Sequence, residues 1–516
     1  MVETVTRPII RIGSDTRSIE DIVSLASGSA RAELAASDDY RQHLNSGVAL
    51  LEASCEAGHT VYGVNTGFGD SCQTAVPEDQ QSSLPVNLFR YHGCGTGEHF
   101  SYMEGRAIVA CRLVSLAKGY SGVRPILLES MVALLNAGLA PSIPKEGSVG
   151  ASGDLTPLSY IAAVLSGERE VLVDGKMRAA GEALQDRGLR PIELAPKESL
   201  ALMNGTSVMA ALNCFAFLHA RRLARFAATL TAMAVDALEG RLEHFDARIH
   251  ELKPHLGQVR FAQWVRSDLS RRTTPPSSHR IQDQYSLRCA PHIGGVLLDS
   301  LPWMRTFIQT ELNSVNDNPI VDPDTGNIYH GGNFYGGHMC YVADCLKNIV
   351  ANLADMFDRQ FQLLCNPSTN RGLPANLVGG ATLAMAAHHG FKAMGISTSA
   401  LAAEALKQTI PASVFSRSTE NHNQDKVSMG TIATRECLRI IELTETVAAI
   451  HLLGLCQALD LRGIDKCCSR SSRMHAAVRR AVPSHVSDRR MDVDIAAVLD
   501  MLRNDQLPLG SLEDLS

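Results

Sequence analysis

The sequence predicts a mainly helical protein, with a loop-rich N-terminal region over residues 1–200 and a long helical bundle with C-terminal helices over 201–516. Three observations carry this expectation. The stretch from Ser207 to Glu239 contains neither Gly nor Pro and is built from Ala, Leu, Met and Arg, which are strong helix formers. Two further stretches of the same kind run from Met339 to Asn366 and from Thr431 to Leu453. Glycine, at 40 of 516 residues, is near the ordinary ~7%, yet it is absent from these rods and gathered in polar loops.

Taken in chain order, the opening MVETVTRPIIRIGSDTRSIEDIV has early acids and no apolar core, so it reads as no secretory signal. Loops follow at 61–70 (VYGVNTGFGD), 91–99 (YHGCGTGEH) and 146–159 (EGSVGASGDLTPLS). Residues 171–178 (VLVDGKMR) read as one short hairpin around Asp-Gly. The 207–239 segment would make a rod of roughly 45 Å at ~1.5 Å per residue. Segments 296–312 and 381–409 also read as helical, separated by loops at 282–292, 313–319 and 330–337. In the last rod Ile441, Ala448, Leu452, Leu455 and Leu459 share one helical face. Rods longer than the usual ~12 residues imply an elongated bundle.

Composition excludes several classes. With 45% hydrophobic and 20% charged residues the chain can bury a large core, and with 5% aromatics that core must be aliphatic. The net charge of −6 offers no basic excess for phosphates, so no nucleic-acid partner is expected. No window has ~18 uninterrupted apolar residues, so no membrane span is expected. The 13 cysteines are scattered without CxxC pairs, which reads as reduced thiols in a cytoplasmic protein. The sequon at Asn204 is then not expected to be glycosylated. His92, His292 and His422 lack suitably spaced partners, so no metal site is expected.

The loop Gly147–Asp154 admits three readings. It lacks the Lys-Ser/Thr of a phosphate-binding loop and does not match GxGxxG. Taken alone, a plain turn is the better reading. The third is chemical: the amide nitrogen of Gly153 attacks the carbonyl carbon of Ala151. Loss of water, and then of the Ser152 hydroxyl, leaves an imidazolone with an exocyclic methylene. Glycine suits the attacking position because it lacks Cβ and tolerates unusual φ/ψ.

The run GSVGASGDLTPLSYIA (147–162) resembles the signature of the aromatic amino acid ammonia-lyases and histidine ammonia-lyase. YGVNTGFG (62–69), NGT (204–206), QDQYSLR (282–288), NDNP (316–319), GGNF (331–334) and NQDKVSM (423–429) resemble further motifs of that family, in the same order. The resemblance covers about residues 10 to 510. It implies a helical ammonia-lyase fold, an electrophile made autocatalytically from Ala151, Ser152 and Gly153 (4-methylideneimidazol-5-one, MIO), no external cofactor, and a homotetramer whose subunits share active sites. It further implies removal of ammonia and a β-proton from an L-amino acid.

Residue roles follow from the same resemblance. Tyr62 matches the catalytic tyrosine, whose phenol, ordinarily near ~10, must be lowered to act as a base at neutral pH. Arg288 matches the arginine that pairs with the substrate carboxylate, for which its planar fork is suited. Asn204 and Gln282 match amides that bond the MIO ring or substrate, and Tyr285 and Phe334 match aromatics lining the site. Gly69, at the end of the tyrosine motif, counts among the substrate-binding positions. Asn316 and Asn318 are expected to brace loops.

Tyr91-His92 occupies the pair that faces the substrate side chain, and its Tyr91 departs from the family's Phe-Leu, His-Leu and Ser-His patterns. Gln424 stands where histidine enzymes carry a glutamate. A glutamate-free pocket ending in His92 favours a phenol, so L-tyrosine to p-coumarate is the first expectation. L-Phenylalanine to cinnamate, histidine to urocanate and a tyrosine 2,3-aminomutase follow as alternatives. The opposing reading is a silent helical scaffold that binds a small molecule or partner, with Ser152 unreacted.

Overall fold

The computed structural model describes residues 7–13, 15–270, 280–379, 387–464 and 467–510. The chain divides into two compact units. The first comprises 1–215, 305–344 and 411–435; the second comprises 216–304, 345–410 and 436–516. The loop-rich region 1–200 lies wholly within the first, and 201–516 is divided between both.

The first unit is organised on the helix Tyr102–Leu116, where twelve of fifteen residues are buried. Ser101 and Glu104 start it with a reciprocal capping box, satisfying two N–H groups that a helix start leaves unpaired. Its Arg106 is buried and donates to the carbonyls of Leu25, Ala26 and Leu135 at 2.6–2.8 Å. These carbonyls end the helices Ile19–Ser27 and Pro125–Asn136, so one guanidinium closes two helix C-termini, where a cation is also favoured by the helix dipole. The strand Ile9–Ile12 pairs parallel with Arg31–Leu34. Glu170–Val173 and Lys176–Ala179 form the expected hairpin, and Asp174 and Gly175 both take positive φ (50° and 74°), as a two-residue turn with the strands' twist requires.

Four long helices follow: Ser207–Ala237, Ala290–Leu312, Gly337–Cys365 and Gly430–Arg462. The third glycine- and proline-free stretch, Thr431–Leu453, lies within the last of these helices, which also carries Leu455 and Leu459 of the expected helical face. The helix runs through Gly454, where a Cβ would come within 2.6 Å of the Phe361 ring. Glycine at this point admits a neighbouring ring and does not break the helix. In the second unit Gln360 donates to Thr231 at 3.2 Å, while His451 bonds its oxygen at 3.0 Å. This links three helices through buried polar groups. Burial pushes the His451 pKa down to about 3, so the ring is neutral. Lys392–Lys407 forms most of the helix expected over 381–409, of which 381–386 lie outside the described residues. No helix among the described residues is long and apolar enough to cross a membrane.

Candidate active site

All the loops that build the site belong to the first unit. Gly153 has φ +72°, and a Cβ on it would lie 2.0 Å from the Gly205 carbonyl oxygen. That backbone approach is a short parallel bridge between Gly153 and Gly205. The Gly205 N–H donates to the Ser152 carbonyl at 3.2 Å, and the Asp154 N–H donates to the Gly205 carbonyl at 2.8 Å. Asp154 is buried, and its carboxylate accepts the N–H groups of Val208 and Met209 at 3.0 and 3.1 Å. These open the helix Ser207–Ala237, whose N-terminus favours an anion. Thr431 also donates to it. Burial nevertheless raises the Asp154 pKa to about 6.

Tyr62 reaches the same place. Its hydroxyl oxygen accepts the Gly69 N–H at 2.8 Å, and its own N–H donates to His330 Nε2 at 3.2 Å. A Cβ on Gly69 would lie 1.9 Å from the Glu420 carboxylate. The Tyr62 pKa is raised, first by burial, opposed by the Gly69 N–H, and raised again by Glu420 and Cys72. The requirement for a lowered phenol is therefore not met by the surroundings of Tyr62 within one chain.

A cavity of about 350 Å³ joins these groups, lined among others by Tyr62, Tyr91, His92, Ser152, Asn204 and Gln424. A second opening of about 570 Å³ shares Tyr62, Ser152, Asn204 and Gln424 and adds His330 and Phe334. Gln424 donates to the Ser152 hydroxyl at 3.4 Å. The Asn204 amide donates to the Asn318 carbonyl at 3.3 Å, while its buried oxygen has no partner. The rings of Tyr91 and His92 meet edge to face at 4.3 Å. Burial pushes the Tyr91 phenol up and holds His92 down at about 4, so both are neutral at pH 7.

Sequence reasoning missed Glu420, which lines the same cavity as Tyr91 and His92. The expectation of a glutamate-free pocket is thereby corrected, and with it the step from that absence to a phenol. Residues 420–422 all take positive φ, folding Glu420 back beside Gly69. There it accepts the Asp70 N–H at 2.7 Å.

Gln282, Tyr285 and Arg288 belong to the second unit and lie outside the lining of both openings. Arg288 lies over the Tyr285 ring at 4.5 Å. Its Nε is buried without a hydrogen-bond partner, and Tyr285 is 71% exposed. Asp283 anchors this segment, accepting from the Arg241 N–H at 2.7 Å and from Arg371 at 3.2 Å. Asn316 and Asn318 hold loops: Asn316 donates to the Glu311 carbonyl, and Asn318 accepts the Gly331 N–H. Among the described residues no group of three or more His, Cys, Asp or Glu side chains is placed to hold a metal.

The fold and this site define a helical enzyme built around an Ala-Ser-Gly turn. A family model described as aromatic amino acid lyase matches residues 17–481, and the chain belongs to that family. It is similar to the histidine ammonia-lyase of Geobacillus thermodenitrificans, 38% identical over 470 residues, covering 91% of this chain and 92% of that protein. It is similar also to the histidine ammonia-lyase of Anaeromyxobacter dehalogenans, 37% identical over 510 residues, covering 96% and 99%. Among solved structures, tyrosine aminomutase from Streptomyces globisporus superposes with a TM-score of 0.89 at 34% identity, covering 97% and 98%. Histidine ammonia-lyase from Trypanosoma cruzi does so at 0.88 and 33%, covering 98% and 95%.

The chain is therefore a carbon–nitrogen lyase acting on an aromatic amino acid. The family's MIO electrophile forms autocatalytically from Ala-Ser-Gly, here Ala151-Ser152-Gly153. The residues present fit that group. Gly153 is pressed against Gly205 where no Cβ could stand, the Gly205 N–H faces the Ser152 carbonyl, and Asn204, which lines the cavity, has a buried amide oxygen without a partner.

Proposed function

We propose that this protein removes ammonia from an aromatic L-amino acid whose ring carries a hydrogen-bonding atom, with L-histidine first and L-tyrosine second. The observation that carries the reading is the single cavity running from Ser152 and Tyr62 to the neutral Tyr91–His92 pair. A neutral imidazole and a neutral phenol can each donate or accept a hydrogen bond, so this end discriminates against a bare phenyl ring. Histidine stands first because relatives 37–38% identical over nine-tenths of the chain carry that name, and because Glu420 supplies a carboxylate to complement imidazole. Tyrosine is favoured by Gln424, a neutral amide where histidine enzymes carry a glutamate. Phenylalanine and a 2,3-aminomutase outcome remain arms of the same test.

MIO supplies an electrophilic methylene that makes the α-amino group a better leaving group. The chain's residues do the rest. Tyr62 Oη takes the β-proton, with the Gly69 N–H supporting the phenolate. Gly205 N–H and the Asn204 amide stabilise charge and orient the amine. Arg288 pairs with the carboxylate; its guanidinium lies over the Tyr285 ring and its buried Nε has no hydrogen-bond partner. Gln282, Tyr285 and Arg288 match family site positions, and since the resemblance implies a homotetramer with shared sites we place them in the site of a neighbouring copy.

Incubation with histidine, tyrosine and phenylalanine separately, read by product absorbance and by chromatography for β-amino acids, tests this. Turnover confined to phenylalanine overturns the polar-ring reading. An active monomer on sizing overturns the shared site.

A further inference from the structure

Lys197 and Asp317 are 1% exposed and form an ion pair at 2.6 Å. The mechanism proposed above does not use either. Lys197 has φ +79°, a left-handed conformation that residues with a Cβ rarely adopt. It opens the six-residue helix Glu198–Met203, and Asn204 closes that helix, its N–H bonding the Leu200 carbonyl at 2.8 Å.

The other partner leads to the same residue. Asp317 accepts the Asn318 N–H at 2.7 Å, and the Asn318 carbonyl accepts from the Asn204 amide at 3.3 Å. Arg112, fully buried, joins the two segments. Its Nε donates to the Ala201 carbonyl at 2.8 Å, and its Nη1 donates to the Asn316 carbonyl at 2.8 Å. With its nitrogen held in this way, the Asn204 amide leaves its oxygen free. That oxygen is buried and unpartnered, on a residue that lines both openings.

A buried ion pair is weak support for stability, because desolvation of both charges offsets their attraction and apolar replacements are often neutral. What this pair does supply is register between Asn204 and Asn318. We infer that Lys197 and Asp317 are positioning residues that, through Asn318, hold the Asn204 oxygen to accept a hydrogen from the substrate's α-ammonium group. The inference rests on the ammonia-lyase reading of the Ser152 site.

The test uses Ser152→Ala protein, in which no electrophile forms, so that binding is read without turnover. Calorimetry compares L-histidine and L-tyrosine with their desamino acids, which keep ring and carboxylate. Adding Lys197→Met/Asp317→Asn, which removes both charges together, should weaken the amino acids at least tenfold and leave the desamino acids within twofold. Adding Asn204→Ala to that background should weaken them no further. In the Ser152 enzyme the same double substitution should still lose two waters on intact mass and should lower kcat/KM at least tenfold. Equal weakening of both ligand classes, or of neither, overturns the inference. So does a further tenfold loss with Asn204→Ala. If the unaltered enzyme releases no ammonia from any aromatic amino acid while the binding split holds, the lyase reading fails and the positioning role stands.

Discussion

Replacing Tyr62 by Phe separates proton transfer from packing at a single atom. Among the described residues the Tyr62 hydroxyl takes a single hydrogen bond, from Gly69 N–H at 2.8 Å. Losing one neutral hydrogen bond there is worth about 1 kcal/mol, which is roughly a fivefold effect. A general base contributes about 10²- to 10⁴-fold, equivalent to about 3–5.5 kcal/mol. The two explanations therefore predict losses that do not overlap. The edge-to-face contact with Phe68, at 6.4 Å between ring centres, survives in Phe, and the Ala151–Gly153 turn is untouched. The variant should lose two waters on intact mass as the unaltered enzyme does, and its kcat should fall by at least a hundredfold.

The pH profile supplies a second reading of the same atom. The Tyr62 phenol is raised above its ordinary value by burial and by Glu420. A base must be deprotonated to act, so below its pKa its active fraction grows about tenfold per pH unit. The kcat/KM of the enzyme should rise with pH toward the alkaline side, and the Phe variant should lack that limb. A Phe variant that turns over within tenfold of the enzyme, with the limb intact, would refute Tyr62 as the proton acceptor.

Other perturbations test the surroundings. Glu420→Gln removes a charge that raises the Tyr62 pKa, so the alkaline limb should move to lower pH and histidine should lose ground to tyrosine as substrate. Gly153→Ala meets the Gly205 oxygen at 2.0 Å with φ +72°. The left-handed conformation costs about 1–2 kcal/mol and the overpacking about 1–3 kcal/mol. Intact mass should show the unreacted tripeptide, and thermal melting should come earlier. Arg106→Met leaves three carbonyls without their donor and should cost about 3 kcal/mol, near 1 per hydrogen bond. Denaturant unfolding measures this, and kcat of the folded fraction should be unchanged.

The parts of the fold that local chemistry dictates were legible in the sequence. Gly- and Pro-free runs became the helices Ser207–Ala237 and Gly337–Cys365, and Asp174-Gly175 became the hairpin turn. The helical face that carries Leu452, Leu455 and Leu459 runs across Gly454, which admits the Phe361 ring within the helix Gly430–Arg462. In the site, the resemblance to family motifs named Ser152, Tyr62, Asn204 and Gln424, and all four line one cavity. Glu420 was not legible, because its approach depends on successive left-handed residues at 420, 421 and 422, none of which is glycine. The Lys197–Asp317 pair joins positions 120 residues apart, and no local pattern marks either partner.

The raised phenol of Tyr62 and the stranded Arg288 bear on each other. Within one chain the groups acting on Tyr62 are burial, a carboxylate, a thiol and one helpful N–H, and the balance disfavours a phenolate. A nearby cation is the direct physical remedy, since an opposite charge within ~4–6 Å favours the ionised form. Arg288 has a buried Nε without a partner. On the proposed assembly, its arrival from a neighbouring copy would bring the substrate carboxylate and a positive charge to the same cavity. Dissociation should then do more than empty a binding site. It should leave Tyr62 with its pKa high, so that Arg288→Met protein mixed with Tyr62→Phe protein recovers activity only where subunits exchange and one intact site forms. Failure of such mixtures to regain any activity, with exchange verified by mass, would place Arg288 and Tyr62 in the same chain's site and remove the need for a partner.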